Sequence, residues 1–190
     1  MATQKGAPAA PPVILIDIMD TLGARPGAWE AFERGHISEQ EYLTSFWKPG
    51  VDIPIDGAAL TAAMEQAYAF VPGMDALLQR LTAAGCTVHA FSNYPIWWRL
   101  IERRLRPSRL GLRWSFLSSH GPSLGLRKPE PQAFDAVLQA LDAPPESVIF
   151  IDDTLANVEA ANACKIQGLH FSSTRQLESD LARLLDVDRI

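Results

Sequence analysis

The sequence has few cysteines and no long apolar segment. Its two cysteines, Cys86 and Cys164, occur among 190 residues, and neither lies in a C-x-x-C pair or beside a histidine. This pattern argues against a zinc site or a disulfide framework and predicts two buried free thiols in an intracellular or organellar protein. No apolar run reaches the roughly 18–20 residues of a membrane-spanning helix, so we expect no membrane insertion.

Positive charge is also scarce. The 17 Lys and Arg residues are outnumbered by 22 Asp and Glu, which gives a formal net charge of −5. This balance argues against nucleic acid or an anionic membrane as the main partner, so an anionic ligand needs a local site. The length suits one domain with a small insertion, and no internal repeat is present. Residues 1–12 are rich in Ala and Pro, do not resemble a transit peptide and are predicted to form a flexible tail.

Short apolar runs alternate with helical patterns along most of the chain. Runs of this kind are typical of strands buried on both faces of a parallel sheet, and the alternation predicts a doubly wound, Rossmann-like α/β fold. The predicted strands cover residues 13–16, 87–91, 114–117, 148–151 and 168–171. The predicted helices cover residues 74–84, 96–105, 131–141, 155–165 and 174–185.

Residues 24–70 interrupt this alternation, because they contain helical patterns but no buried strand. Ser38 and Glu41 form the S-x-x-E pattern of a capping box ahead of one such helix. We interpret 24–70 as a small helical cap inserted after the first strand, with 13–23 and 71–190 as the α/β core. The segment is rich in aromatic residues, most of which are expected to form its small core and its contact with the main domain, namely Trp29, Phe32, Tyr42, Phe46, Trp47, Tyr68 and Phe70.

Polar residues follow the predicted strands at one edge of the sheet. Each of them alone is typical of a helix cap, a turn or a solvated charge. Ligands bind at the carboxyl ends of parallel strands, however, and all of these residues are expected to converge there. The set predicts a site with carboxylates, a hydroxyl and an ammonium group. Its members are Asp17, Asp20 and Thr21 after the first strand, Ser92 and Asn93 after the second, Lys128 ahead of a helix, and Asp152 and Asp153 after the fourth.

The order of these motifs resembles the haloacid dehalogenase-like (HAD) phosphatases, which have D-x-D-x-T, S/T-N, K-P and D-D in this sequence order. The resemblance runs from residue 13 to about residue 171. The strings D-I-M-D-T-L at 17–22, F-S-N-Y-P-I-W at 91–97 and F-I-D-D-T-L-A-N-V at 150–158 are similar to a narrower branch, the plastid flavin mononucleotide (FMN) hydrolases of plants and green algae. The resemblance implies a HAD-type core, a small phosphorylated metabolite as substrate, and a plastid location, with the cytoplasm as the alternative.

The resemblance also implies a role for each matching residue. Asp17 would be the nucleophile that forms an aspartyl phosphate. Lys128 would pair with both the phosphate and the nucleophile, and the phosphate would also be bound by Thr21, Ser92 and Asn93. The implied cofactor is Mg²⁺. Its predicted ligands are an Asp17 oxygen, the Met19 carbonyl and Asp153, with Asp152 ordering a metal-bound water.

The chain departs from the HAD pattern in two ways. Met19 replaces the second aspartate, which in this superfamily protonates the leaving alcohol, and the sequence leaves open whether Asp20 or a water takes this role. Dehalogenases also lack that aspartate, but they lack the acidic pair as well, so the pair at 152–153 favours a metal-dependent phosphatase. The cap is also shorter than in related hydrolases.

These departures keep two other hypotheses open. One is a weakened HAD-fold protein that serves as a binding or structural subunit, which would require a protein partner. The other is a phosphate- or flavin-sensing module that binds its ligand without turnover.

Overall fold

A five-stranded parallel sheet forms the centre of the molecule, in the order β3-β2-β1-β4-β5. The computed structural model describes residues 13–16, 27–46 and 54–185. The strands are β1 (Val13–Ile16), β2 (Thr87–Ser92), β3 (Leu112–Leu117), β4 (Val148–Asp152) and β5 (Gln167–His170). The predicted α/β class and doubly wound sheet are confirmed.

Eight α-helices flank this sheet in the described part of the chain. Four of them lie between β1 and β2 in sequence, and the first three of these fall within the predicted cap. The helices are α1 (Ala28–Glu33), α2 (Glu39–Thr44), α3 (Gly57–Ala67), α4 (Met74–Ala83), α5 (Trp98–Leu105), α6 (Pro131–Leu141), α7 (Leu155–Ala163) and α8 (Thr174–Leu184).

The two faces of the sheet carry separate apolar cores. Ile14 of β1 packs with residues of α4 and α8 on one face. Phe150 of β4 packs with Phe134 of α6 and Ala161 of α7 on the other. Helices therefore cover both faces, which explains why the central strands β1 and β4 are almost uniformly apolar and not alternating.

A third apolar cluster joins the first three helices to α5. Phe32 and Tyr42 stack with their ring centroids 4.6 Å apart, and Trp97 at the start of α5 packs edge-on against both. Most of these aromatic residues therefore form the predicted core of the segment and its predicted contact with the main domain. Phe70 packs instead against the sheet core, and Trp47 lies outside the described residues. The capping box of Ser38 and Glu41 is present.

Some predicted boundaries differ from the observed ones. Helix α5 begins at Trp98 and not at residue 96, because the first turn is tighter: the Trp98 amide donates to Pro95, three residues back. Helix α7 ends at Ala163 because Lys165 adopts a left-handed conformation with φ 65°. Strand β3 begins two residues earlier than predicted, and β5 begins and ends one residue earlier.

The cysteine prediction is half right. Both Cys86 and Cys164 are free thiols, but only Cys86 is buried, and Cys164 at the end of α7 is partly exposed. No helix in the described ranges is long and apolar enough to cross a membrane. The predicted tail and the first-strand motif residues, Asp17, Met19, Asp20 and Thr21, lie outside the described residues.

Candidate active site

The polar ends of β2 and β4 lie on either side of β1. Ile16, the last residue of β1, pairs with Ala90 of β2 and with Ile151 of β4. Ser92 follows Ala90 by two positions, and Asp152 follows Ile151 directly. The parallel register therefore places the predicted motifs of β2 and β4 at the same edge of the sheet, around the point where β1 ends.

Lys128 is the buried cation of this edge. It is only 2% exposed, and its Nζ donates to Oδ2 of Asp152 at 2.6 Å. The ammonium group also lies 5.2 Å from the ring centroids of Phe91 and Phe150. A buried charge requires such a partner because removal from water is costly. This contact places Lys128 at the carboxyl end of β4, while its predicted roles toward phosphate and Asp17 stay predictions.

Asn93 fixes the backbone that carries Lys128. Its Nδ2 donates to the Lys128 carbonyl at 2.8 Å, and its Oδ1 accepts from the Lys128 amide at 2.8 Å. The Lys128–Pro129 peptide bond is cis. Both ends of the Asn93 amide are thus hydrogen-bonded to the loop of residues 124–130, the lysine loop, while its predicted contact with phosphate stays a prediction.

Ser92 supplies a hydroxyl at the end of β2. The residue is 1% exposed, and within the described part of the chain its Oγ has no hydrogen-bond partner. A buried polar atom without a partner costs about 1–3 kcal/mol. A buried hydroxyl without a protein partner is typical of a group that binds a ligand or a water.

The two carboxylates after β4 have different surroundings. Asp152 is buried, and besides Lys128 it accepts from the Thr154 amide at 2.7 Å and from Asn157 Nδ2 at 3.1 Å to each oxygen. Asp153 is exposed, and its carbonyl accepts from His170 Nε2 at 2.8 Å. The neighbouring acids therefore differ in burial, with the Asp152 carboxylate held in a buried hydrogen-bond network and Asp153 exposed.

This donor set fits a magnesium ion. Carboxylate oxygens are the hard ligands that Mg²⁺ prefers, and the ion usually retains several waters and uses few protein ligands. Asp153 would hold the ion directly, and the locked Asp152 would orient one of its waters. Among residues 13–16, 27–46 and 54–185, no group of three or more His, Cys, Asp or Glu side chains is clustered for a metal. The remaining predicted ligands, Asp17 and Met19, belong to the segment outside the described residues.

Sequence reasoning missed the residues that support this site. Asn157 had no assigned role, although its position five residues after Asp152, one turn into α7, was a usable signal. The ion pair between Glu33 of α1 and Arg127, next to Lys128, joins residues 94 positions apart. The paired hydroxyls of Tyr68 and Tyr94 had no sequence signal either. Burial raises the pKa of both tyrosines above the ordinary value.

The fold and the site together define a doubly wound α/β protein with an acidic pair and a buried lysine at the strand ends. The sequence matches the haloacid dehalogenase-like hydrolases over residues 21–165. The chain belongs to this family, which confirms the resemblance drawn from its motifs.

Known relatives agree with this assignment. A chloroplast flavin mononucleotide hydrolase of Arabidopsis thaliana is 34% identical over 195 residues, which cover 91% of this chain and 77% of the relative. A sesquiterpene phosphatase of Aspergillus oryzae is 28% identical over 162 residues, which cover 83% of this chain and 79% of the relative. A HAD family enzyme of Bacteroides thetaiotaomicron, solved with magnesium and inorganic phosphate, has a TM-score of 0.69 at 18% identity and covers 86% of this chain and 96% of that chain. At this identity the last likeness shows the fold alone.

Proposed function

We propose that the protein is a Mg²⁺-dependent phosphomonoester hydrolase that uses Asp17 as its nucleophile and releases riboflavin from FMN. The observation that carries the proposal is the buried Lys128–Asp152 pair at the same sheet edge as the Ser92 hydroxyl, which has no hydrogen-bond partner among the described residues. A cation and a hydroxyl donor next to the end of β1 are what an incoming phosphate dianion requires. The Arabidopsis relative supports FMN as the substrate.

Each residue has a defined part in this reaction. Asp17, the residue after β1, attacks phosphorus, and the bond from phosphorus to the ribityl oxygen breaks, which leaves a phosphoryl group on the Asp17 carboxylate. Lys128 offsets the charge of the phosphoryl oxygens, and Ser92 donates to one of them. A water then cleaves the aspartyl phosphate. When bound, Mg²⁺ supplies charge neutralisation between the two anions.

The Met19 side chain cannot donate a proton, so another group must protonate the leaving oxygen. A positioned acid is typically worth about 10²–10⁴-fold in rate. We therefore expect the enzyme to be slow with a poorly leaving ribityl oxygen and faster with an aryl phosphate, whose leaving group needs no proton. If Asp20 is the donor, Asp20→Asn slows FMN hydrolysis but not aryl phosphate hydrolysis; if a water is the donor, both rates stay close to the wild-type values.

The test is a panel of small phosphates assayed with Mg²⁺ and with EDTA. It includes FMN, an aryl phosphate and a sesquiterpenyl phosphate, because the Aspergillus relative is a sesquiterpene phosphatase. We expect phosphate release from FMN that EDTA abolishes and that Asp17→Asn removes. Glu178→Gln, in an ion pair with Arg80 on the α4–α8 surface, is the matched control and retains full activity.

The other outcomes of this panel are equally specific. Release that is indifferent to EDTA and to Asp17→Asn contradicts the proposed chemistry. Preferential turnover of the terpenyl phosphate contradicts the proposed substrate only. Tight binding of FMN without release indicates a sensing module, and no binding together with a stable large assembly in native extract indicates a structural subunit. A plastid location, suggested by the chloroplast relative, is tested by imaging the full-length protein in cells.

A further inference from the structure

Glu33 is a buried carboxylate outside the set of motif residues. It is the last residue of α1 and is 3% exposed. Its Oε1 accepts from Arg127 Nε at 3.0 Å, and its carboxylate also accepts from the Trp29 indole. Its backbone carbonyl accepts from Ser118 Oγ at 2.7 Å. One residue of α1 is therefore attached to the lysine loop and to the segment after β3.

The loop that carries Lys128 is held from two sides. On the side of α1, Arg34 Nη1 donates to the Gly125 carbonyl at 2.6 Å, and Arg34 Nη2 donates to Glu130 Oε1 at 2.5 Å. At the end of β2, Asn93 is hydrogen-bonded to both the amide and the carbonyl of Lys128. The contacts from α1 bind the loop at its two ends and at Arg127, and Lys128 lies between them.

A buried carboxylate such as that of Glu33 attaches a helix at a high cost in desolvation free energy. Burial raises the pKa of this carboxyl, and the Arg127 guanidinium counteracts part of that shift. An apolar side chain next to Phe32 would bury its surface without the desolvation cost of a charge. A charged pair instead fixes the relative orientation of its two groups, because the N–H bonds of a guanidinium lie in one plane and favour a narrow range of carboxylate positions. A fixed orientation of Arg127 matters here because Arg127 is the residue directly before Lys128.

We propose that Glu33 is a positioning residue for phosphate hydrolysis, which acts through Arg127 to set the place of the Lys128 ammonium relative to the strand ends. The inference depends on the proposed function, since it requires Lys128 to contact the phosphate. Glu33 does not touch the reacting atoms in this role. It restrains the residue before Lys128, whereas Asn93 binds the main chain of Lys128 itself.

The kinetic test compares Glu33→Gln with wild-type protein. Gln keeps the size of the side chain and an acceptor for the Trp29 indole, but it loses the buried charge 3.0 Å from Arg127 Nε and leaves only the 3.7 Å ion pair of Arg127 with Glu30. We expect kcat for FMN to fall about 10-fold to 100-fold, the range for a displaced reacting group, with KM changed less than about twofold, because uniform substrate binding is not removed. Glu178→Gln is again the control and keeps the wild-type kcat.

A double variant separates positioning from general loss of structure. If Glu33 acts through Arg127, the double variant Glu33→Gln/Arg127→Gln is no slower than the slower single variant. Losses that multiply contradict the inference, as does an unchanged kcat in Glu33→Gln. If Glu33→Gln does not fold, Arg127→Gln replaces it, because the Arg127 side chain is 31% exposed; the same fall in kcat is expected.

Hydrogen exchange tests the inference independently of turnover. We expect Glu33→Gln to increase amide exchange within residues 124–130, while Glu178→Gln leaves this segment unchanged. Equal exchange in the wild-type and Glu33→Gln proteins overturns the inference. If the wild-type protein releases no phosphate, that result counts against the proposed function. The hydrogen-exchange comparison still shows whether Glu33 restrains the loop.

Discussion

Lys128 and Asp152 form an ion pair from which water is excluded, with 2.6 Å between Nζ and Oδ2 and side chains that are 1% and 0% exposed. Asp152 is also bound by Asn157 and by the Thr154 amide, so its lone pairs are satisfied even without a metal. The pair therefore presents a fixed cation beside the end of β1. The carboxylate that fixes it is itself locked in place before any substrate arrives, which is the pre-organisation that electrostatic catalysis requires.

Removal of the lysine charge affects both stability and rate. Lys128→Met leaves Asp152 buried without its cation, so we expect the free energy of unfolding to fall by about 3 kcal/mol. Phosphate release is expected to be lost. Urea unfolding and the FMN assay measure the two effects. The control is Lys165→Met, at an exposed lysine, which changes neither. A Lys128→Met protein with wild-type turnover contradicts the role assigned to the ammonium group.

Ser92→Ala separates function from folding. The buried Oγ has no hydrogen-bond partner within the described part of the chain, so its removal is expected to leave the free energy of unfolding unchanged or to raise it by about 1 kcal/mol. A hydrogen bond to a charged phosphate is worth about 1.5–3 kcal/mol, so kcat/KM is expected to fall about 10-fold to 100-fold. A Ser92→Ala variant that is less stable than wild type but fully active contradicts this prediction and indicates that Ser92 stabilises the fold.

Asn157→Ala tests the support of the acidic pair. The change removes the contacts of Nδ2 with both oxygens of Asp152, and loss of an outer-shell partner typically weakens metal binding about 10-fold to 100-fold. We expect this loss in the Mg²⁺ dependence of phosphate release and in calorimetric titration with Mg²⁺ alone. Asn162→Ala is the matched control on the same helix. Its Oδ1 accepts from the Gly168 amide, so it is expected to lower stability but not Mg²⁺ affinity; equal affinities for the two variants contradict the prediction.

His89 is predicted to make the fold sensitive to acid. Burial lowers the pKa of this histidine to about 4, and the nearby Arg113 adds to the effect. Between pH 6.5 and about 4 the unfolded chain binds a proton that the folded chain does not, so stability falls as the pH falls through this range. The contribution is at most about 3 kcal/mol for a shift of this size. Urea unfolding at pH 7 and pH 5 is expected to show a smaller loss for His89→Phe than for wild type, and equal losses contradict the assignment.

The arrangement of the site followed in part from local sequence. A parallel sheet brings the carboxyl ends of its strands to one edge, so apolar runs followed by Ser92-Asn93 and Asp152-Asp153 were sufficient to predict which motifs meet. The sequence could not predict that the Asn93 amide binds the Lys128 main chain at both its ends. Nor did it predict that Asn157 fixes both oxygens of Asp152, since hydrogen-bond geometry has no sequence period.

By itself the sequence determined the α/β class, the capping box of α2 and the order of the motifs, because these depend on burial patterns within short segments. Only the tertiary structure decided which groups pair. The Lys128–Asp152 contact spans 24 positions and the Arg127–Glu33 contact spans 94. Such contacts depend on the angle at which α1 and the lysine loop pack against the sheet. That angle results from the shape of the whole core, which no single segment encodes.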